Sequence, residues 1–247
     1  MNHQLKTTIM TTLSKITIAL ILSLLLSSCA FDLGNGKKGN GSITEENREI
    51  VSEFDQISAS EGLDVFVTQA DEFSIRVEAD ENVIDLIATD IKGGTLKIHA
   101  KENIGQATKN IFVSLPTITG LSSSSSADLN TKNQIKTNII NISASSGGDL
   151  IASILANSIA ATSSSGADIK LTGTTNDLAV DASSGSNIDA KNLKTKNCEA
   201  EASSGADIKV DVSELLIADA SSGGDISYSG TDNVKKNKSS SGSVKKR

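Results

Sequence analysis

Ser203-Ser204-Gly205-Ala206-Asp207-Ile208 belongs to a series of near-copies. The phrase recurs at Ser145-Ser146-Gly147-Gly148-Asp149-Leu150, Ser164-Ser165-Gly166-Ala167-Asp168-Ile169, Ser183-Ser184-Gly185-Ser186-Asn187-Ile188 and Ser221-Ser222-Gly223-Gly224-Asp225-Ile226. Ser124-Ser125-Ser126-Ala127-Asp128-Leu129 opens the series, and Ser240-Ser241-Gly242-Ser243-Val244 closes it without the acid. From Asp128 through Asp149, Asp168, Asn187, Asp207 and Asp225 the steps are 21, 19, 19, 20 and 18 residues. Self-similarity at a period of about 20 residues is the sequence form of a solenoid.

The residues between copies alternate by two, as strands do, and not by three and four. Leu178, Val180, Ala182, Ser184, Ser186, Ile188 and Ala190 share one parity, while Asp181, Ser183, Gly185, Asn187 and Asp189 share the other. One face is therefore apolar or small and the other polar, as in half-buried strands. On the apolar parity large residues flank a centre of Ala, Ser or Gly, which reads as a crowded corner. Stacked in register, the units give an inner column (Ser146, Ser165, Ser184, Ser204, Ser222) and an outer column (Asp149, Asp168, Asn187, Asp207, Asp225). The expected fold is all-β: a single-stranded right-handed parallel β-helix, or β-solenoid, with rungs of about 20 residues.

Composition agrees with a thin coil. The chain of 247 residues is only 2% aromatic, with no Trp. Phe54, Phe66, Phe73 and Phe112 cluster before the repeats and predict a thicker core there. Cys198 shares its repeat position with Ile140, Ile159, Leu178 and Leu216, and reads as a small buried hydrophobe. The other cysteine, Cys29, lies far from it in an apolar leader, so no internal disulfide is expected.

Residues 1–29 read as a targeting segment: Lys6 and Lys15 are the basic region, and 16–26 form an apolar stretch too short to span a bilayer comfortably. Its end, Leu26-Ser27-Ser28-Cys29, resembles a bacterial lipobox, which implies acylation of Cys29 and anchoring to a membrane through lipid. Ala30 in place of Asp favours the outer membrane by the same resemblance. Residues 30–50 are Gly-rich and polar and read as a flexible tether. Residues 51–120 form an N-terminal β part, with apolar alternation at Leu63, Val65 and Val67, at Phe73, Ile75 and Val77, and at Ile111, Val113 and Leu115. The repeats occupy 121–231, and 232–247 is an imperfect last rung with a basic tail that suits an edge-blunting cap, with contact to anionic lipid or lipopolysaccharide as the alternative.

The stretch from Phe54 to Ile98 resembles the head GIN domain family. The likeness rests on Ile57-Ser58-Ala59-Ser60-Glu61-Gly62-Leu63-Asp64-Val65-Phe66-Val67-Thr68-Gln69, Arg76-Val77-Glu78-Ala79-Asp80-Glu81-Asn82 and Gly94-Thr95-Leu96-Lys97-Ile98. With the repeats it covers about 50–230. The tripeptide of the family name falls at Gly62-Leu63-Asp64, departing from Gly-Ile-Asn at two positions. The resemblance implies a β-solenoid in secreted or lipid-anchored bacterial proteins described as autotransporter-type adhesins.

Catalytic chemistry is poorly supplied. With His3 in the leader, His99 stands alone, so neither a Ser-His-Asp relay nor a histidine zinc site is expected. The arginines are Arg48, Arg76 and Arg247, none among the repeats, which argues against a β-helical polysaccharide lyase. A net charge of −7 argues against nucleic acid as a partner. No cofactor is expected. The acid column reads as solvated turn residues, with a ligand or calcium ladder at Asp149, Asp168, Asn187, Asp207 and Asp225 as its functional alternative. The resulting expectation is a non-enzymatic, outer-membrane-tethered envelope lipoprotein that meets glycan or another envelope protein. A purely structural envelope protein and a polysaccharide-active enzyme are the competing readings.

Overall fold

The computed structural model describes Lys15 and residues 36–247 except Ser240, with Lys238 described by its backbone alone. Cys29 and its lipobox lie outside the described residues. Gly36–Arg247 forms a compact unit.

Strand order explains the architecture. The head contributes β1 (Ile43–Asn47), β2 (Gln56–Ala59), β3 (Asp64–Gln69), β4 (Ser74–Asp80), β5 (Ile87–Lys92), β6 (Thr95–Ala100) and β7 (Lys109–Leu115), with a 3-10 turn at Ile84–Leu86. The repeats contribute β8 (Gly120–Ser124), β9 (Asp128–Thr131), β10 (Ile135–Lys136), β11 (Ile139–Ser145), β12 (Asp149–Ser163), β13 (Asp168–Ala182), β14 (Asn187–Ala202) and β15 (Asp207–Ala220). The last rung and a half are β16 (Asp225–Gly230), β17 (Val234–Lys238) and β18 (Ser243–Lys246).

Two parallel columns run along the coil. One stacks β6, β2, β8, β11, the second halves of β12 to β15, and β17. The other stacks β7, β3, β9, the first halves of β12 to β15, β16 and β18. This is a β-solenoid of about seven turns with rungs about 19 residues apart. Ala182, Ala202 and Ala220 are partners in register, as are Ile140, Ile159, Leu178, Cys198, Leu216 and Val234. Cys198 is 3% exposed and serves as a core residue.

The corners differ from the expected inner serine column. Ser184 and Gly185 have φ of 55° and 69°, and the Ser186 N–H donates to the Ser183 carbonyl at 3.3 Å. Two successive residues with positive φ closed by that bond are the pattern of a type I′ turn. The turn resets parity, so Ser146, Ser165, Ser184, Ser204 and Ser222 all project outward and are exposed. The crowded inner positions lie on either side: Ser163, Ala182, Ala202 and Ala220 before the turn, and Ala167, Ser186 and Ala206 after it, all buried. A left-handed serine costs about 1–2 kcal/mol. A second ladder offsets that cost, because the N–H groups of Gly147, Gly166, Gly185 and Gly205 donate to Ser165, Ser184, Ser204 and Ser222 of the next rung at 3.1–3.2 Å.

The opposite bend absorbs variation in repeat length. Register slips there between Lys170 and Thr172 and again between Ala190 and Asn197. Gly173 is needed at this bend, because a Cβ would lie 1.9 Å from the Ile154 carbonyl oxygen.

The head is threaded out of order. The rung made by β2 and β3 is sandwiched between the later rung of β6 and β7 and the first repeat rung of β8 and β9. The chain thus starts at the second level, steps out to the first and returns to the third. Antiparallel strands close that end: β4 on β7, β1 on β4, and β5 on β6.

Two further expectations are corrected here. Residues 36–50 are not a loose tether but part of the fold: the Gly41 and Thr108 N–H groups donate to the carboxylate of Asp80, which is 3% exposed. The glycines let the chain wrap this acid, since a Cβ on Gly39 would lie 2.4 Å from it. Phe66 and Phe112 do not thicken the core either. They lie on the outer parity of β3 and β7 with rings 5.2 Å apart, between the Arg76 guanidinium at 4.2 Å and the Lys132 ammonium at 4.0 Å. Phe54 does lie in the core, at 3% exposure, and tilts against Phe73 at 5.3 Å.

The basic end folds onto the last rung. Arg247 donates to the Val210 carbonyl, Lys236 lies 4.9 Å over the Tyr228 ring, and Lys246 pairs with Asp232.

Candidate ligand-binding surface

The type I′ turns place one acid or amide per rung at the start of the following strand, facing out. Asp149, Asp168, Asn187, Asp207 and Asp225 are consecutive partners in register. The column extends through Asp128 to Asp64 and Asn110, and ends at Ser243. Asp64 and Asn110 were not among the expected members. The echo Ser60-Glu61-Gly62-Leu63-Asp64 was the available signal for the first, and Asn110 carries no such signal.

Strand spacing sets neighbouring carboxylates about 4.8 Å apart. In water a like pair at that distance costs only about 1 kcal/mol. Where the column is partly covered the effect is visible: desolvation first, then repulsion from Asp64, lifts Asp128 above the usual carboxylate value. Asp149 is lifted likewise by desolvation and by Asp128 and Asp168. Asn187 sits mid-column with its side-chain oxygen buried and unpartnered. A straight column is not a cage, and among the described residues no three acidic, His or Cys side chains converge to hold a metal ion.

Two positions further along each strand the outer face is mixed. Ile151, Lys170, Asp189 and Lys209 are successive partners. Burial alone would raise Asp189, but the hydrogen bond from Lys191, at 2.9 Å, holds it below its ordinary value. The other column carries a second run of acids, Asp181, Glu201 and Asp219, bounded by Thr162 and Asn237. This run was missed in the sequence because it precedes the phrase and has no constant residue.

The remaining candidates fall into place separately. His99 pairs with Asp90 at 2.9 Å on the exposed side of the head. Burial, then the Glu199 charge, pushes the Cys198 thiol up to about 12, so the thiolate is not populated near neutrality.

A cavity of about 490 Å³ lies at the head, where the loop 101–108 replaces the two-residue corner. It is lined by Glu61, Glu102, Lys109, Ser125 and Ser126 among others. Smaller grooves follow the outer faces, one beside Ser58, Ser122 and Ser143, another beside Asp181, Glu199 and Glu201.

Comparison with known proteins adds a fold and a family. A family model described as "Putative auto-transporter adhesin, head GIN domain" matches residues 53–231. No curated protein matches the chain. A solved "putative adhesin" from Bacteroides fragilis NCTC 9343 is 22% identical, with a TM-score of 0.79 over 86% of this chain and 100% of its own. A "putative lipid binding protein" from Parabacteroides distasonis ATCC 8503 is 22% identical, with a TM-score of 0.72 over 85% and 98%. A "putative adhesin" from Parabacteroides merdae ATCC 43184 is 18% identical, with a TM-score of 0.65 over 85% and 98%.

Proposed function

The chain belongs to the head GIN domain family, and on that premise we infer that it is a non-enzymatic binding module of the bacterial cell envelope. The observation that carries this reading is the continuous outer surface, on which hydroxyls, carboxylates and amides recur at strand spacing from Asp64 to Asp225. Such a surface meets an extended, repeating ligand at many weak points, as an envelope glycan or a protein strand would offer. The coil interior is filled by side chains, so recognition takes place on the outside.

The anchoring half of the proposal rests on Leu26-Ser27-Ser28-Cys29: acylation of Cys29 holds the body to the outer membrane. Replacing Cys29→Ser should move the protein from the membrane fraction to the soluble one, and continued sedimentation with membranes would refute the anchor.

The binding half is tested with residues 36–247 on arrays of envelope glycans and on whole cells. Retention should fall at least tenfold when Asp149, Asp168, Asp207 and Asp225 are changed together to Asn. Full retention by that variant would move binding off the column. Absence of retention by the parent would favour a purely structural envelope role.

A further inference from the structure

The cavity at the head lies at a point where the coil breaks its own rule. Following the register inward at the corner, successive rungs place Gly224, Ala206, Ser186, Ala167, Gly148 and Ala127 on the inner position, then Leu63. The first level places Lys109 there, because Asn110 is the partner of Asp64. The two-residue corner Glu61-Gly62 encloses Leu63 fully at that position, but a lysine so enclosed would have its charge buried. The loop 101–108 makes the room, and Lys109 is half-buried in the cavity that results. Its ammonium lies beside Gly62, where an added Cβ would come within 3.5 Å of Nζ. Among the described residues it has no hydrogen-bond or ion-pair partner.

Lys109 is half-buried as a residue while its ammonium reaches the cavity unpaired, so the charge is open to an incoming anion. The other levels place Gly, Ala, Ser or, at one level, Leu at this position, so a charged residue there is the departure that marks a functional position. The lining also limits the ligand. Glu61 and Glu102 set two carboxylates against Lys101 and Lys109, so the wall is neutral overall and disfavours polyanions. Glu61 is held in place, its carboxylate accepting the Ala100 N–H at 2.7 Å. The lining demands a ligand with one negative charge for Lys109 and several O–H donors for the glutamates and for Ser125 and Ser126. About 490 Å³ lies within the range of roughly 300–1,000 Å³ usual for small-ligand sites.

We propose that this cavity binds a carboxylated sugar, such as a uronic acid unit of an envelope polysaccharide, with Lys109 pairing the sugar carboxylate. The proposal rests on the glycan-binding reading above but concerns a different surface from the acid column. A polymer thus meets the column along its length while one acidic unit is held at the head.

The test is NMR titration of residues 36–247 with glucuronic acid, galacturonic acid, their methyl esters, glucose and glycine. This span is a workable domain, since the whole solved chain of the Bacteroides fragilis relative corresponds to 86% of the present one. The uronic acids should shift the amides of Gly62, Glu102 and Ser126 and saturate at millimolar concentration. The esters, glucose and glycine should bind at least tenfold more weakly. Lys109→Met should abolish the uronic acid shifts while leaving the rest of the spectrum in place. If that variant does not fold, the acid-against-ester contrast on the parent decides alone. Equal binding of acid and ester, preference for glycine, or no shift at 20-fold excess over ~1 mM would each overturn the site. Because the fourfold Asp→Asn variant leaves Lys109 intact, its array result separates failure of this site from failure of the broader reading.

Discussion

The repeats and the head use the same two columns of strands but solve different problems. Between Gly120 and Ala220 every level is followed in sequence by the next, each corner is a two-residue turn, and the inner corner is Ala, Ser or Gly. Between Gly36 and Leu115 the levels are visited out of order, one corner is an open loop, and an acid is buried at Asp80. The repeats have no end of their own, since each rung leaves a fresh edge for the next. The head covers one end by pairing antiparallel β4 and β5 onto β7 and β6, so the first level of the coil leaves no open parallel template there. Regularity gives the molecule length, and departure from it gives the molecule a closure and a cavity.

The contrast is broken most severely in the core of the repeats. Leu178→Ala, beside Cys198 in a fully stacked apolar column, should cost about 3 kcal/mol in denaturant unfolding. An effect under about 1 kcal/mol would mean that the column is not close-packed. Asp80→Ala tests the head, since it orphans the Gly41 and Thr108 donors. The expected loss is about 2 kcal/mol, and hydrogen exchange should rise at 36–47 before it rises in the repeats.

Smaller effects belong to the corners. Gly185→Ala, at a φ of 69°, should cost about 1 kcal/mol, whereas Ser184→Gly should be neutral or stabilising. Equal costs at the two positions would contradict the type I′ turn. The smallest expected effect is electrostatic. Asp128 and Asp149 are raised in the folded state, so their neutral forms favour folding. That contribution is fully present below the ordinary value of 3.8 and is lost as pH rises through the elevated folded values. Asp149→Asn should therefore stabilise the protein slightly at neutral pH and lose that advantage near pH 3 (thermal melts at both values). Stabilisation at low pH alone would reverse the sign and refute the crowding.

What could be read from the residues followed the periodicity. Alternation by two is enough to put Ala182, Ala202 and Ala220 in one column and to give Cys198 its apolar neighbours. It failed where the period changes: two left-handed residues at each corner reset the parity, turning Ser184 outward although it shares parity with Ala182. Phe66 was legible but misassigned, since Val65 and Val67 already claimed the inside and left its ring to Phe112 and Lys132. The burial of Asp80 and the placement of Lys109 depend on which levels become neighbours. The phrase fades at Ser60-Glu61-Gly62 and is absent from 101–108, so nothing local announces that order. The acid column was visible because a phrase carries it, whereas Asp181, Glu201 and Asp219 align only once the rungs are stacked.

Out-of-order threading is tested most directly by distances between paired spin labels in residues 36–247 carrying Cys198→Ala. Ser146→Cys with Ser222→Cys, four levels apart, provides the ruler at about 19 Å. From Ser222→Cys, Glu61→Cys should then lie about 29 Å away and Glu102→Cys farther, about 34 Å. If Glu102 proves the nearer of the two, the levels follow the sequence and the architecture described for the head is wrong.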